Sequence, residues 1–327
     1  MAETSSPSDP YPVQQRRNRY WFALTVALLV FVVLLLPRAV TSMIDELSDQ
    51  STSRVYDYLD GGEVDFSSVI AEDATFINIA VTQIDEATQV ASLSVSGNRN
   101  CGAACPPIAA ALYSLGQDAS RRLGLPPSAA IELPAASGPF TQTIELPVRG
   151  WPQRYPFDIY MLLLGLTVDL ELPNGETQPL PAALLRERNV HITIEDAVAR
   201  MNMQPLEPVD PATVSPAGSG VTFVAVDRLT FQRPAYLRIL TIVLVLLIAA
   251  SAIFALSLKD LEDLLLGIGG IILGVWGVRS VVVQTELSDL TWVDIALALV
   301  ILLLLLALAV RAARHYYRLS GFRGLKF

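Results

Sequence analysis

Residues 237–256 read LRILTIVLVLLIAASAIFAL, a run with a single charged residue, Arg238. Two further apolar runs follow at residues 264–283 and 295–310, and a fourth lies near the start of the chain at residues 20–37. A helix rises 1.5 Å per residue, so each run can cross, or nearly cross, a hydrocarbon core about 30 Å thick. The sequence therefore predicts an integral membrane protein in which one helix precedes a large domain and three helices, within residues 236–311, follow it.

Basic residues predict the orientation of these helices. Three arginines precede the first helix within residues 1–19, a segment expected to be disordered, whereas Arg38 alone follows that helix before acidic residues begin. The C-terminal segment 312–327 is also basic. Because cytoplasmic flanks carry an excess of Lys and Arg, we expect both termini in the cytoplasm and the domain at residues 38–235 on the exoplasmic side of the cell membrane. In the alternative interpretation the first run is a cleaved signal peptide, which leaves the domain on the same side.

The charge balance indicates the kind of partner. The chain carries 23 Lys and Arg against 32 Asp and Glu, a formal net charge of −9, and the basic residues concentrate at the two ends. An acidic outer domain disfavours nucleic acid as a partner, whereas a basic tail beside a membrane helix is attracted to anionic lipid headgroups. Membrane lipid, other membrane or envelope proteins, and further copies of the chain are the expected partners.

The intervening domain shows the period-two pattern of β-strands. Ala91, Leu93 and Val95 alternate with three serines, and apolar and polar residues alternate likewise over residues 190–195. Further candidate strands lie at residues 76–82, 141–148, 159–172 and 221–229. Turns rich in Pro and Gly join them, which favours an antiparallel sandwich over a parallel α/β fold. The predicted fold class is membrane α plus all-β: four transmembrane helices, one plus three, with an exoplasmic antiparallel β-sandwich-like domain.

Two helices are expected to interrupt the strands. Residues 108–123 place Ala109, Leu112 and Leu115 at three-residue intervals after a proline pair, which is typical of a helix start. A second short helix is predicted from about residue 194 to residue 201. The stretches at 126–139 and 204–220 are rich in Pro and small residues and are expected to be surface loops.

Cys101 and Cys105 are the only cysteines of the chain. Three residues separate them and the exoplasmic compartment is oxidising, so a disulfide is predicted. A redox-active pair is the alternative, although thioredoxin-like sites use two spacer residues. No metal site is predicted, because the domain has a single histidine, His191, in a strand pattern.

The motifs typical of enzymes are missing from the sequence. His191 is the only candidate base of the domain, and no Gly-x-Ser-x-Gly elbow accompanies it. The acidic pairs Asp85-Glu86 and Glu195-Asp196 are sequence neighbours, a spacing that suits solvation better than acid and base roles. No Gly-rich phosphate loop follows a strand. The sequence predicts a non-enzymatic protein without a cofactor.

Residues 151–160 read WPQRYPFDIY and concentrate aromatic side chains, prolines and one aspartate. One interpretation is a rigid turn ahead of the long strand that begins at residue 159. The other is a docking loop on the membrane-facing side of the domain, since aromatics supply a large contact area. Its candidate residues are Trp151, Tyr155, Pro156, Phe157, Asp158 and Tyr160.

Four charged residues are expected at the membrane interfaces, namely Arg233, Arg238, Arg279 and Asp294. Asp158 is expected to pair with one of the first two, as a charge-assisted contact. Arg279 is expected either to extend to the interface or to pair with Glu286, Asp289 or Asp294.

The helix predicted at residues 264–283 carries Gly267, Gly270, Gly274 and Gly277 on one stripe. Such a stripe lets a second helix approach closely in lipid. Packing against a neighbouring helix of the same chain is one interpretation, and self-association into an oligomer is the other.

The order of these parts, the stretch Tyr155-Pro156-Phe157-Asp158-Ile159-Tyr160 and the Arg233-Pro234 step resemble an uncharacterised family of bacterial and fungal membrane proteins, recorded as a domain of unknown function. The resemblance covers most of residues 15–320. It implies one helix, an outer β domain and three further helices, but it implies no activity.

A more distant resemblance is to Cys-loop ligand-gated channels. These carry a Phe/Tyr-Pro-Phe-Asp-x-Gln loop at the base of a β-sandwich and an Arg-Pro step near the first membrane helix, which Pro156-Phe157-Asp158 and Arg233-Pro234 match. Tyr160 stands at the Gln position, only three predicted helices follow the domain, none of them has a polar pore stripe, and the two cysteines do not bracket the loop.

The expected function is therefore interaction, as an accessory or scaffold subunit of an envelope complex. A channel-like or sensory membrane protein is the first alternative, and an envelope enzyme is the second.

Overall fold

The computed structural model describes residues 11–49, 54–64, 74–101, 105–116, 127–172, 174–214, 221–257, 261–282 and 290–319. The chain forms two compact units, one helical and one built on β-sheets. The chain passes between them after Ile44 and again after Pro234. The helices, in chain order, are α1 (Tyr11–Asp49), α2 (Ala182–Glu187), α3 (Pro211–Val214), α4 (Ala235–Ser257), α5 (Leu261–Val282) and α6 (Trp292–Leu319).

Four helices in the described part of the chain are long and apolar enough to cross a membrane, one near the N-terminus and three near the C-terminus. Their apolar segments are Ala23–Asp45, Ala235–Ala255, Asp263–Ser280 and Trp292–Arg314. In the helical unit, α4, α5 and α6 pack through a small cluster of Ala252, Ala255, Leu264, Ile268 and Leu304. Many other large apolar side chains on these helices are exposed, as expected where lipid is the solvent. The predicted arrangement of one plus three helices is confirmed.

The first and last helices extend beyond their predicted limits. The prediction that residues 1–19 are disordered is wrong for residues 11–19, which belong to α1, while residues 1–10 lie outside the described part. Gln and Arg are good helix formers, so the polar flank continues the helix. Pro37 lies inside α1, which runs on to Asp49; the β domain therefore begins later than the predicted residue 38. Residues 312–319 of the predicted tail likewise continue α6.

Fourteen strands are described in the β unit. They are β1 (Val55–Asp57), β2 (Glu63–Val64), β3 (Thr75–Asp85), β4 (Val90–Arg99), β5 (Ile108–Ser114), β6 (Ser128–Ile131), β7 (Gly138–Pro147), β8 (Arg149–Gly150), β9 (Ile159–Glu171), β10 (Thr177–Pro179), β11 (Val190–Asp196), β12 (Asn202–Met203), β13 (Glu207–Pro208) and β14 (Ala225–Gln232). One sheet has the order β2-β1-β11-β3-β4-β7, and the other has the order β12-β14-β9-β5-β6, with β8 and β10 on β9 and β13 on β14. The described pairs are antiparallel except for β11 and β3, which run parallel.

The inner faces of the two sheets form one hydrophobic core. On β4, Ala91, Leu93 and Val95 are fully buried, whereas the serines between them are partly exposed. They belong to one cluster with residues of the other sheet, such as Leu112 and Leu164. Each fully buried Leu contributes roughly 1.5–3 kcal/mol. The predicted class, membrane helices plus an all-β domain, is confirmed, with one parallel strand pair as a detail that the pattern did not indicate.

The helix predicted at residues 108–123 is wrong over its described part. Residues 108–114 form β5, which pairs with β6 and β9. Ala110, Leu112 and Ser114 are buried in alternation, so a period of two fits the packing better than the period of helices. Alanine favours helices, but tertiary context overrides such weak preferences. Residues 117–123 lie outside the described part.

The second predicted helix is also wrong. Strand β11 continues through Ile194, which faces the hydrophobic core, to Asp196. The Asp196 carboxylate then accepts hydrogen bonds from the amides of Val198 (3.1 Å) and Met203 (2.6 Å), which closes a turn. This local bond competes with a helix. The predicted loops at 126–139 and 204–220 contain β6, β13 and α3 as well as irregular chain.

Candidate functional site

Residues 151–158 form a tight turn between β8 and β9, and Ile159 and Tyr160 begin β9. A single 3₁₀ turn, Pro152–Arg154, opens it. The amide of Tyr155 donates to Pro152 O (3.1 Å), and the amide of Phe157 donates to Arg154 O (2.8 Å). The peptide bond between Tyr155 and Pro156 is cis. Proline and these backbone bonds fix the direction in which each aromatic side chain leaves the turn.

The side chains of this turn separate into a buried set and an exposed set. Tyr155, Asp158 and Tyr160 are buried. Phe157 is 52% exposed, whereas the other large apolar side chains in the described β unit are buried or half-buried. Trp151 is half-buried. The guanidinium groups of Arg149 and Arg154 lie 5.1 and 5.4 Å from the centroid of its ring. Such contacts are favourable cation–π arrangements.

Asp158 points inward to a buried ion cluster with Arg233 and Glu86. The Nε atom of Arg233 donates to both carboxylate oxygens of Asp158, at 3.1 and 3.3 Å. A terminal nitrogen of the same guanidinium pairs with Glu86. The guanidinium also lies 5.1 Å from the ring centroid of Tyr155. The cluster joins the turn after β3, the turn before β9 and the chain that leaves β14.

The charges of the cluster support one another against the cost of burial. Burial opposes the charge of Arg233, but Asp158 and Glu86 outweigh this effect and raise the pKa of the guanidinium. Burial raises the pKa of Glu86 above its ordinary value, and Arg233 opposes that shift. Burial, with Glu86 and Asp158 nearby, also raises the pKa of Tyr160. Arg233 is the one cation that the described contacts place beside these two buried carboxylates, so their burial as charged groups depends on it.

Glu86 is the member of the cluster that the sequence did not indicate. The Asp85-Glu86 pair was predicted to be solvated, and this is wrong for Glu86, which is buried. Asp85 accepts the amides of Ala87 (2.9 Å) and Thr88 (3.0 Å), which closes the hairpin turn. That turn directs Glu86 toward Arg233. No periodicity marks a turn residue as buried, because its partner comes from another sheet.

The helical unit contains a second ion pair. Arg279 Nε donates to Asp294 Oδ1 at 2.6 Å, and Asp294 Oδ2 accepts the amide and hydroxyl of Thr291, both at 3.0 Å. This is a capping box at the start of α6, a feature that satisfies otherwise unpaired amides. Of the acidic residues predicted to pair with Arg279, Glu286 and Asp289 lie outside the described part. Arg238 lies in the first turns of α4.

The glycine stripe of α5 is largely open. A Cβ atom added at Gly270, Gly274 or Gly277 would meet nothing within 4 Å among the described atoms. Gly267 differs, since it lines a groove with residues of α1 and α4, including Leu29. No described helix of the same chain therefore packs against Gly270, Gly274 or Gly277.

Cys101 and Cys105 form a disulfide, with a Cα–Cα distance of 5.0 Å. Within the described residues, no group of three His, Cys, Asp or Glu side chains is placed to hold a metal ion. His191 lies on β11, half-buried, with its Nε2 atom 3.1 Å from Asn189 Oδ1.

Fold and site together define the class: a membrane protein with four candidate spanning helices and an antiparallel-rich β domain whose last strand leads directly into α4. Within it, residues 65–205 match a family described as a domain of unknown function (DUF4436). This match confirms the predicted resemblance to an uncharacterised membrane family. It includes Glu86 and Asp158 but ends before Arg233. No curated protein matches the chain.

Proposed function

We propose that this chain is a non-enzymatic, multi-pass protein of the cell membrane that presents its β domain for assembly with other membrane or envelope proteins. The observation that carries the proposal is Phe157, the large apolar side chain exposed on a turn that the buried ion cluster holds in place. A rigid, exposed aromatic side chain is a typical anchor of protein interfaces, because little conformational entropy is lost when it binds.

The position of the ion cluster supports an assembly role. Arg233 and Pro234 are the last residues before α4 begins at Ala235. The chain that leaves β14 cannot shift within the domain without separating Arg233 from two buried carboxylates, which is costly. The cluster therefore fixes how the domain presents the turn at residues 151–158 relative to its own exit strand.

The chemistry around Phe157 fits a protein-binding surface. Arg149 and Arg154 are exposed and stack on Trp151. Tryptophan and arginine are enriched at protein interfaces. This surface, defined by Arg149, Trp151, Arg154 and Phe157, is the docking surface of the proposal.

The proposed orientation places the β domain on the exoplasmic side and both termini in the cytoplasm. The arginines within residues 1–19 and the basic tail support it through the positive-inside rule. The disulfide between Cys101 and Cys105 supports it independently, because disulfides persist in oxidising compartments.

The test is the mass of the native particle after mild extraction, with its co-purifying proteins identified. We expect stoichiometric partner proteins that are lost in Phe157→Ser and retained in Thr143→Ala, an exposed strand position on β7. A particle that contains this chain alone, or partners that survive Phe157→Ser, would contradict the proposal.

A channel-like or sensory function is the second candidate, favoured by one observation. The two motifs behind the resemblance to Cys-loop channels, Pro156-Phe157-Asp158 and Arg233-Pro234, are in contact through the Asp158–Arg233 ion pair. Purified protein in liposomes would then pass ions, and Asp158→Asn would change that flux. Absence of flux from folded, reconstituted protein would reject this candidate.

A further inference from the structure

The β domain contains a partly open cavity of about 200 Å³ between its two sheets. Its walls are apolar and come from both sheets: Ile77, Ile79 and Ile192 on one side, and Ala110, Leu166 and Val168 on the other. Cores are normally packed without voids much larger than a water molecule. A cavity of this size is therefore an unusual feature of the sandwich.

Two arginines line the same cavity, Arg99 at the end of β4 and Arg188 after α2. Arg99 is only 4% exposed, whereas Arg188 is exposed. Neither forms an ion pair with a carboxylate in the described part of the chain. Arg99 instead donates to two backbone carbonyls, those of Pro106 and Pro134.

The Arg99 guanidinium has capacity left for a ligand. Two of its five N–H donors serve the carbonyls, which leaves three without a partner among the described residues. A buried cation without a counter-charge is costly, and burial lowers the pKa of Arg99 accordingly. An anion at this position would remove that cost.

We propose that the cavity binds a small anionic amphiphile, a monocarboxylate whose short apolar chain lies between the sheets and whose carboxylate meets Arg99 and Arg188. A dry apolar cavity of roughly 150 Å³ accepts a six-carbon ring, so this one suits a chain of roughly six to eight carbon atoms. Arginine binds carboxylates through paired N–H donors, which matches the unused donors of Arg99. This inference is independent of the proposed assembly function, since the cavity lies inside the sandwich.

The experiment uses the full-length protein in lipid nanodiscs and a diazirine-bearing hexanoate as photoprobe. We expect cross-links in β5 and β9, read by peptide mass spectrometry and competed by hexanoate but not by hexylamine or hexanol. Cross-links in the membrane helices serve as the internal measure of lipid partitioning, because the competitors should leave them unchanged.

Matched variants locate the site. Ala110→Leu fills the cavity and should abolish the competed cross-links, and Ala110→Val should reduce them in proportion. Arg188→Gln, at an exposed side chain without an ion pair in the described part, should weaken competition by hexanoate roughly tenfold. Arg228→Gln, an exposed arginine paired with Glu207, should change nothing.

Three results would overturn the proposal. These are cross-links in β5 and β9 that hexylamine competes equally well, cross-links that Ala110→Leu and Arg188→Gln both leave unchanged, or no competed cross-link in either strand. Stronger competition by hexyl phosphate than by hexanoate would overturn the assignment to a carboxylate.

Discussion

Arg233 Nε lies 3.1 Å from Asp158 Oδ2, across 75 residues of sequence, and both side chains are almost fully buried. A terminal nitrogen of the same guanidinium pairs with Glu86, so one cation holds two carboxylates. Buried ion pairs add little net stability compared with apolar packing, but removing one partner is expensive. The cluster therefore fixes the position of the residues that follow β14 within the β domain.

Removing the cation of the cluster should cost more than removing one carboxylate. Arg233→Gln leaves two carboxylates buried without a counter-charge, a loss of roughly 3–5 kcal/mol. Asp158→Asn leaves Arg233 paired with Glu86, so a loss of roughly 1–3 kcal/mol is expected. The apparent melting temperature of the full-length protein in detergent measures both.

Arg228→Gln is the control for charge removal, since its ion pair with Glu207 is about half exposed on both sides. Exposed pairs contribute roughly 0–1 kcal/mol. Equal shifts for Arg233→Gln and Arg228→Gln would show that the buried cluster does not stabilise the domain.

Asp227 should make the stability of the β domain depend on pH. Burial, with Asp57 nearby, raises the pKa of this carboxyl from its ordinary value of 3.8 to about 7. The folded state therefore favours the protonated form. The contribution of Asp227 to the free energy of unfolding is greatest below about pH 4, falls by roughly 4 kcal/mol as pH rises from about 4 to about 7, and changes no further above that.

Asp227→Asn should abolish most of this dependence and raise the melting temperature at pH 8 more than at pH 5. The Oδ2 atom of Asp227 has no hydrogen-bond partner among the described residues. Replacing it with the side-chain NH₂ group of Asn therefore removes no described hydrogen bond of this atom. Asp60→Asn, at an exposed site, serves as control. Identical pH profiles for the wild type and Asp227→Asn would show that Asp227 stays ionised.

Gly150→Ala should destabilise the turn through Tyr160. A Cβ atom at Gly150 would lie 2.2 Å from the ring of Tyr160, which is fully buried. Overpacking of this kind costs roughly 1–3 kcal/mol. Gly138→Ala, where a Cβ meets nothing within 4 Å, should change the melting temperature little. A tolerated Gly150→Ala would mean that the turn adapts.

The open glycine face of α5 predicts self-association. Gly270→Leu and Gly274→Leu should leave the fold intact, because nothing described contacts them, but should weaken an oligomer on the order of tenfold. Gly269→Leu, on another face of the helix, is the matched control. Analytical ultracentrifugation in detergent gives the association constant. Equal association constants for Gly270→Leu, Gly274→Leu and Gly269→Leu would exclude the glycine face as the contact.

Local patterns predicted the membrane helices and most long strands because each depends on neighbouring residues. The run at 237–256 is apolar over its whole length, and the alternation around Leu93 appears directly in the sequence. Both patterns reflect burial repeated at a fixed period, 3.6 or 2 residues. The prediction for residues 108–114 was wrong because alanines fit either period, and only pairing with β6 and β9 decides between them.

By itself, the sequence determined the order of membrane helices and β domain, and it indicated Arg233 as one of two candidate partners of Asp158. The tertiary structure alone decided which arginine is buried beside Asp158, brought Glu86 into the cluster, and left a cavity between the sheets beside Arg99. The physical reason is range: helix and strand periods arise from adjacent residues, whereas these contacts join residues far apart in the chain. Only the packing of one sheet on the other sets their distances.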